Sequence, residues 1–223
     1  MKKIISKVLS VQIGKIKTIK DNSMKEKSWQ TGAFKEPVSS SIEVKKLGVV
    51  GDEISDLIHH GGVNKAVFAN SYENYPLWSQ FLKKDSLEFG ALGENITFSK
   101  IKEEDVCIGD IHQIGEVLLE VSQPRQPCWK LSKMNNIEKF KEYIYDTNRT
   151  GWYYRVLNEG TISKDDDVVL VKRLEDNISI FLANDILKEP LKYEQQTKQL
   201  IDLEILSAAF KNSLIKRYKN NDK

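Results

Sequence analysis

The sequence predicts a mainly β protein: a β-barrel with flanking helices, followed by a small helical segment at the C-terminus. Three observations carry this. Short, partly alternating apolar runs recur between glycines over residues 1–174. Within that stretch only 72–84 and 134–145 place apolar residues at helical spacing. From about Glu175 onward helical spacing takes over, and no repeat or low-complexity tract interrupts the chain. Many short strands with few helices point to a barrel. The expected division is a β-barrel domain over 1–174 and a three-helix domain over 175–223. A tail of that size needs a surface to dock on.

In chain order, "ISKVLSVQIG" (5–14) reads as a half-buried strand, and "WQTGAFKEPV" and "SSIEVKKLGVVGDE" as extended runs broken at Gly32, Pro37, Gly48 and Gly51. "KAVFAN" is a strand. Ser71 is then placed to cap the helix "YENYPLWSQFLKK", in which Pro76 is tolerated if the helix starts a little later. "NITFSKI", "DVCIGDIHQI" and "VLLEVSQ" return to strands, with Gly109 and Gly115 at tight reversals or bulges. "MNNIEKFKEYIY" is a helix by its Ile137, Phe140 and Ile144 face. "GWYYRVL" and "DVVLVKRL" are strands joined by "NEGTISKDD". "NISIFLANDILKE" with an Asn177 cap, "YEQQTKQLIDLE" and "LSAAFKNSLIKRYK" are the three tail helices.

Of the 223 residues, 40% are apolar and 30% charged, enough for a sizeable core. The balance of 34 basic against 32 acidic residues argues against general nucleic-acid binding. Eight lysines in the first 27 residues are spread among apolar positions and read as a solvated strand face. The start "MKKIISKVLSVQIGKIK" imitates a signal peptide for six residues, but Lys7, Lys15 and Lys17 leave no apolar core. No membrane span is expected. Two cysteines without framework spacing fit a reducing cytoplasm.

Chemistry concentrates in two stretches. In "QPRQPCWKL" (123–131), Pro124 and Pro127 restrict the preceding residues, so the loop is stiff. Arg125 stands three residues before Cys128, and a nearby fixed cation favours the thiolate, which is both nucleophile and soft metal ligand. A small buried hydrophobe beside Trp129 is the competing reading. Cys107, inside an apolar run, reads as core. In "GDEISDLIHHGGVNKAVFAN" (51–70), His59 and His60 precede Gly61 and Gly62, and Asn64 and Lys65 follow. Such a loop suits a phosphate cradle, a general acid/base or an ordinary surface turn. His112 stands alone, so no zinc ligand set assembles. Glu94 and Asn95, after Gly93 in "GALGENITF", offer polar groups at a strand mouth. Arg149 and Arg155 read as structural or solvated.

Taken in order, "GDEISDLIHHGGVNKAV", "GENIT", "IGDIHQIGEVLLEVSQPRQPC" and "TGWYYRVLNEG" resemble successive motifs of the MOSC family, named for the C-terminal domain of molybdenum-cofactor sulfurases. The resemblance is to its stand-alone bacterial YiiM-type members and runs over nearly the whole chain. It implies a closed MOSC-type β-barrel whose cleft holds a molybdenum–pterin cofactor. Cys128 would be the metal ligand; Arg125, Gly61, Gly62, Asn64, Lys65, Glu94 and Asn95 would be cofactor-binding residues. It further implies reduction of N-hydroxylated compounds, including purine and pyrimidine base analogues, to amines, with His59 or His60 donating a proton. The sequence carries no flavin, haem or iron–sulfur motif, so electrons would come from a separate reductase partner. Trp152 and the tail helices are expected at the cleft wall or at that partner's docking surface. The alternatives are a sulfur carrier with a Cys128 persulfide and a non-catalytic cofactor-binding protein. The oligomeric state is left open.

Overall fold

The structure, a computed structural model, describes residues 3–221; Met1 and Lys2, the first residues of the signal-like start, lie outside the described residues. The first half of the chain holds β1 (Lys3–Ile13), β2 (Lys17–Lys20), β3 (Ser28–Thr31), β4 (Glu36–Pro37), β5 (Ile42–Lys45) and β6 (Gly48–Val49). It continues through α1 (Leu57–His60), β7 (Val67–Ser71), α2 (Tyr75–Leu82) and β8 (Ile96–Phe98). Next come β9 (Ile111–Ile114), β10 (Val117–Pro124), α3 (Lys130–Asn135), α4 (Phe140–Asp146), β11 (Trp152–Asn158), β12 (Gly160–Ile162) and β13 (Asp167–Lys172). The tail is α5 (Ile180–Lys188), α6 (Glu194–Asp202) and α7 (Ala208–Asn221).

Seven strands close into a barrel in the order β13-β9-β10-β11-β7-β8-β1, with β1 returning to β13. The N-terminal strand is the clasp. Irregularities near Ser6 and Ser10 bend β1 so that Lys3–Lys7 pair with β13 and Val8–Val11 with β8. β7 and β8 run parallel, and α2 lies in their crossover; the other barrel pairs are antiparallel. The β2–β3 hairpin and the β12-β5-β6 sheet lie outside the ring.

Alternation along β7 and β11 gives the wall two faces. Val67, Ala69, Trp152, Tyr154 and Val156 pack into the barrel core with Phe98, Leu119 and Val121. Phe68 and Tyr153 turn the other way. They join Tyr75, Trp78, Leu92, Leu131, Phe140 and Ile144 in a second core shared by α2, α3 and α4. Trp152 is thus wholly buried in the barrel, neither at the cleft wall nor at a docking surface, the two places the sequence reading gave it.

The tail shares the barrel's core through Ile178, Ile180, Ile186, Leu200, Leu206, Phe210 and Leu214. Main-chain bonds tie it down: Ile108 N–H to Ile178 O at 2.9 Å, Ile180 N–H to Val106 O at 2.8 Å and Ser207 N–H to Ser122 O at 3.1 Å. Gly109 permits the docking twice over. Its φ of +81° favours glycine, and a Cβ there would stand 2.1 Å from Ile205 Cδ1.

Some elements differ from the sequence reading. Ser71 caps a short 3-10 turn, and α2 begins at Tyr75, which places Pro76 in its first turn. Of the extended run over 105–114 only Ile111–Ile114 is a strand; Cys107 makes an isolated bridge to Ser179, and the chain turns at Ile108–Gly109, where a glycine reversal was expected, with the Asp110 carboxylate accepting the Cys107 N–H at 2.9 Å. The single helix expected over 134–145 is two, broken where Asn136 adopts φ +52°. Ser179, not Asn177, caps α5 by accepting the Leu182 N–H at 3.1 Å. Among the described residues no helix is long and apolar enough to cross a membrane.

Candidate functional site

The stiff loop 123–128 leaves the end of β10 and is anchored at each turn. Gln123 accepts from the Ser207 hydroxyl at 2.5 Å, the Arg125 N–H donates to Gly151 O at 3.1 Å, and Gln126 donates to Asn184 Oδ1 at 3.0 Å. Cys128 O then accepts the Leu131 N–H at 3.2 Å as α3 begins. Trp29 meets Trp129 edge-on at 5.5 Å between ring centroids, which joins the β2–β3 hairpin to this loop.

Two cavities flank Cys128, and its half-buried side chain lines both. The inner one, ≈ 90 Å³, runs between the 31–35 and 52–56 segments and the outer face of β7 and β11. Gly32 makes that approach possible, since a Cβ would fall 1.9 Å from Glu53 O. The outer one, ≈ 480 Å³, is bounded by α1, the cysteine loop and α7. Asp56, His60, Lys65, Lys130 and Tyr153 line both.

Arg125 dominates the electrostatics. It is only 4% exposed, its guanidinium lies 5.4 Å from the Phe68 ring, and among the described residues its Nε and Nη1 have no hydrogen-bond partner. A buried cation without a counter-charge costs several kcal/mol of desolvation, roughly. Lys65 and Lys130 add positive charge; Lys65 Nζ donates to His59 O and Lys130 Nζ to Ser55 Oγ at 3.0 Å. Lys35 does not add to the excess, because it is buried in an ion pair with Asp52. Asp52 also accepts the Gly14 N–H at 2.7 Å and the Asn95 amide at 3.0 Å. Burial, reinforced by Arg125 and Lys65, pushes His60 down from 6.5 to about 4, so it is neutral near pH 7. Burial also holds the Lys65 ammonium below its usual range and the Tyr153 phenol above its own.

The residues singled out by sequence divide. Cys128, Arg125, His60, Lys65 and Asn95 meet at the inner cavity. His59 lies at the outer one, exposed, its Nδ1 2.9 Å from Asp56. Gly61, Gly62 and Asn64 line neither cavity. Gly61 ends α1, Gly62 opens the next turn at φ +94°, and Asn64 faces Arg155, whose Nε donates to it at 3.0 Å. Glu94 is fully buried away from the cleft, where its carboxylate accepts from the Tyr75 hydroxyl and from the N–H groups of Gly90 and Leu92. Arg149 pairs with Glu103 and Glu104, and Arg155 with Glu120. Cys107 is buried, its thiol pushed up to about 11 by burial.

The sequence reading missed Asp56, Ser55, Lys130, Phe68 and Tyr153; it placed the tail helices at the cleft wall or a docking surface without singling out the α7 residues Ala209, Phe210 and Ser213 that line the outer cavity. Lys130, two residues past the cysteine, and Tyr153, out of phase with Trp152 and Tyr154, were legible by position. Nothing local marks Thr31–Ala33, which reach the cleft only through tertiary packing.

The donor set fits an anionic group that brings its own metal. Among the described residues no three His, Cys, Asp or Glu side chains cluster to hold an ion. A metal at Cys128 would therefore take its other ligands from that group or from solvent. The buried Arg125 guanidinium, with Nε and Nη1 unpartnered among the described residues, suits a phosphate or dithiolate.

The MOSC domain family model matches residues 56–169. The chain is 36% identical to the YflK protein of Bacillus subtilis over 94% of its own length and 93% of that protein's. It is 37% identical to a protein of Gibberella moniliformis named "Reductase", over 63% of this chain but only 25% of that longer protein. The fold matches the crystal structure of YiiM from Geobacillus stearothermophilus with a TM-score of 0.79 and 32% identity, covering 95% of this chain and 98% of that one.

Proposed function

The chain belongs to the MOSC domain family, and from that premise we propose that it is a molybdenum-cofactor-dependent reductase of N-hydroxylated compounds. The observation that supports this reading most is the Arg125 guanidinium, buried beside Cys128 with two of its nitrogens free of any partner among the described residues. A protein does not retain such a charge for stability; a bound anion is the fitting counter-charge. The match to a protein named a reductase supports the redox class.

In this reading Cys128 Sγ holds the metal. Arg125, Lys65 and Lys130 hold the anionic parts of the pterin ligand, and Asn95, fixed by Asp52, offers a polar contact. When bound, the molybdenum–pterin group supplies the two-electron step by which R–NHOH, two electrons and two protons become R–NH₂ and water. His60 is the better placed histidine for the proton because it lines both cavities, whereas His59 is exposed and tied to Asp56. Neutral at rest, the His60 imidazole gains basicity when an anion offsets its cationic neighbours, so it can take up a proton and hold it at a ring nitrogen beside Cys128. Tyr153, kept protonated by burial, closes one wall against water. The electrons come from a separate reductase.

The test is an assay of cofactor-loaded protein with reduced viologen as donor and an N-hydroxylated purine as substrate. The expected result is stoichiometric amine, lost in Cys128→Ala. Full cofactor loading without turnover on any N-hydroxylated compound would sink the reductase reading in favour of a cofactor-binding protein.

A further inference from the structure

We propose that the first turns of α7 form the specificity wall of this site, with Ala209, Phe210 and Ser213 deciding which N-hydroxylated molecules reach Cys128 and favouring planar aromatic ones. The proposal rests on the reductase reading above and goes beyond it, by assigning substrate choice to the helical tail.

Among the described residues, α7 lines the outer cavity, ≈ 480 Å³, and the tail does not line the inner one that carries Arg125. Arg125 and Asn95 line only the inner cavity and the α7 residues only the outer one, while Cys128, Lys65 and Lys130 line both, so a change on α7 leaves the residues assigned to the cofactor in place. The size falls in the ordinary range for small-molecule sites. Ala209 and Ser213 are one helical turn apart and share an exposed face. Both are small, and the Ser213 hydroxyl donates back to Ala209 O at 2.9 Å, which leaves only acceptor capacity toward the cavity. Phe210, 2% exposed, is locked in the core with Leu206 and Leu214.

This wall is held rigidly against the cysteine loop. Ser207 caps α7 by accepting the Phe210 N–H at 3.2 Å, and its hydroxyl donates to Gln123 Oε1 at 2.5 Å. Its own N–H donates to Ser122 O at 3.1 Å. Four residues separate Gln123 from Cys128, and Gln126 among them is bound to Asn184 of α5. The position of α7 and that of the sulfur are consequently set together.

The chemistry of the cavity points to a flat ligand. Trp129 is 42% exposed and Ile58 89% exposed, both lining it, with the Tyr153 ring deeper. An aliphatic hydroxylamine would leave these surfaces wet, whereas a heteroaromatic ring would cover them. On the α7 side Ala209 and Ser213 contribute only small side chains to the lining.

The experiment compares wild type, Ala209→Phe and Ser213→Leu, all cofactor-loaded, with matched molybdenum content and thermal midpoints. Two substrates are assayed with one artificial donor: an N-hydroxylated purine and N-methylhydroxylamine. In parallel, adenine binding is followed by calorimetry. The expected result is that kcat/KM for the purine falls about tenfold or more in each variant, while the small substrate changes less than about twofold. Adenine affinity should fall with the purine activity. Equal loss on both substrates, or no loss on either, would overturn the wall. If fully loaded wild type reduces neither substrate, the reductase reading fails, and adenine decides the wall alone. Binding weakened by both variants sustains it; absent or unaltered binding overturns it.

Discussion

At the scale of single residues, Arg125 and His60 tie the site's charge to its occupancy. A guanidinium buried without a counter-charge gains nothing for the empty protein, so Arg125→Met should leave the cofactor-free fold as stable as wild type or more so. The same variant should lose the stabilisation that sulfate confers on wild type. Thermal midpoints with and without sulfate measure both, and a large loss of stability without sulfate would mark Arg125 as a structural residue instead. His60 gives the pH dependence. Its folded pKa of about 4 lies below the ordinary 6.5, so the unfolded chain binds the extra proton between those values. Stability contributed through His60 is complete above about 6.5 and falls as pH drops toward 4. A bound anion raises the folded value, so sulfate should bind more tightly at pH 5 than at pH 7, and His60→Gln should flatten that dependence. Of the site itself, Cys128, Arg125, His60 and Lys65 were legible because proline stiffness, glycine spacing and charge are local features. Glu94 was misread as a ligand because its motif position gives no hint that Tyr75 and two backbone amides consume its carboxylate.

Among elements, the helices and loops that hold the site were legible in kind and less so in their ends. The pattern Ile137, Phe140 and Ile144 marked a helical face, yet only Phe140 and Ile144 lie on α4; Ile137 lies in the turn before it, because Asn136 in the left-handed region ends α3 while the apolar phase continues. The cysteine loop's dependence on the tail could not be read from sequence, since Gln123–Ser207 and Gln126–Asn184 join residues 84 and 58 apart. Ser207→Ala removes both the α7 cap and the partner of Gln123. It should cost roughly 1–3 kcal/mol by urea unfolding and should also loosen the cysteine loop, seen as faster alkylation of Cys128 at fixed pH. Unchanged stability and unchanged alkylation would show that α7 is held by its apolar face alone.

For the molecule as a whole, the barrel was legible from the density of short alternating strands, whereas its closure was expected only from the family resemblance. β1 and β13 meet across 160 residues of chain, and no local pattern announces such a pair. The two faces of β11 state the design most economically. Trp152 and Tyr154 fill the barrel while Tyr153, between them, faces the cleft. Trp152→Ala should therefore cost about 3–5 kcal/mol of stability by denaturant unfolding, with metal retention lost only as the fold is lost. A cost below about 1 kcal/mol would contradict the packing described. The measurement that bears most directly on the central claim is the molybdenum and pterin content of protein purified from a cofactor-producing host, wild type beside Cys128→Ala and Arg125→Met. Near-stoichiometric molybdenum with a phosphorylated pterin in wild type, and little in either variant, is the predicted result. Neither metal nor pterin in wild type, with extra sulfur on Cys128 by mass spectrometry, would contradict it and make the protein a sulfur carrier.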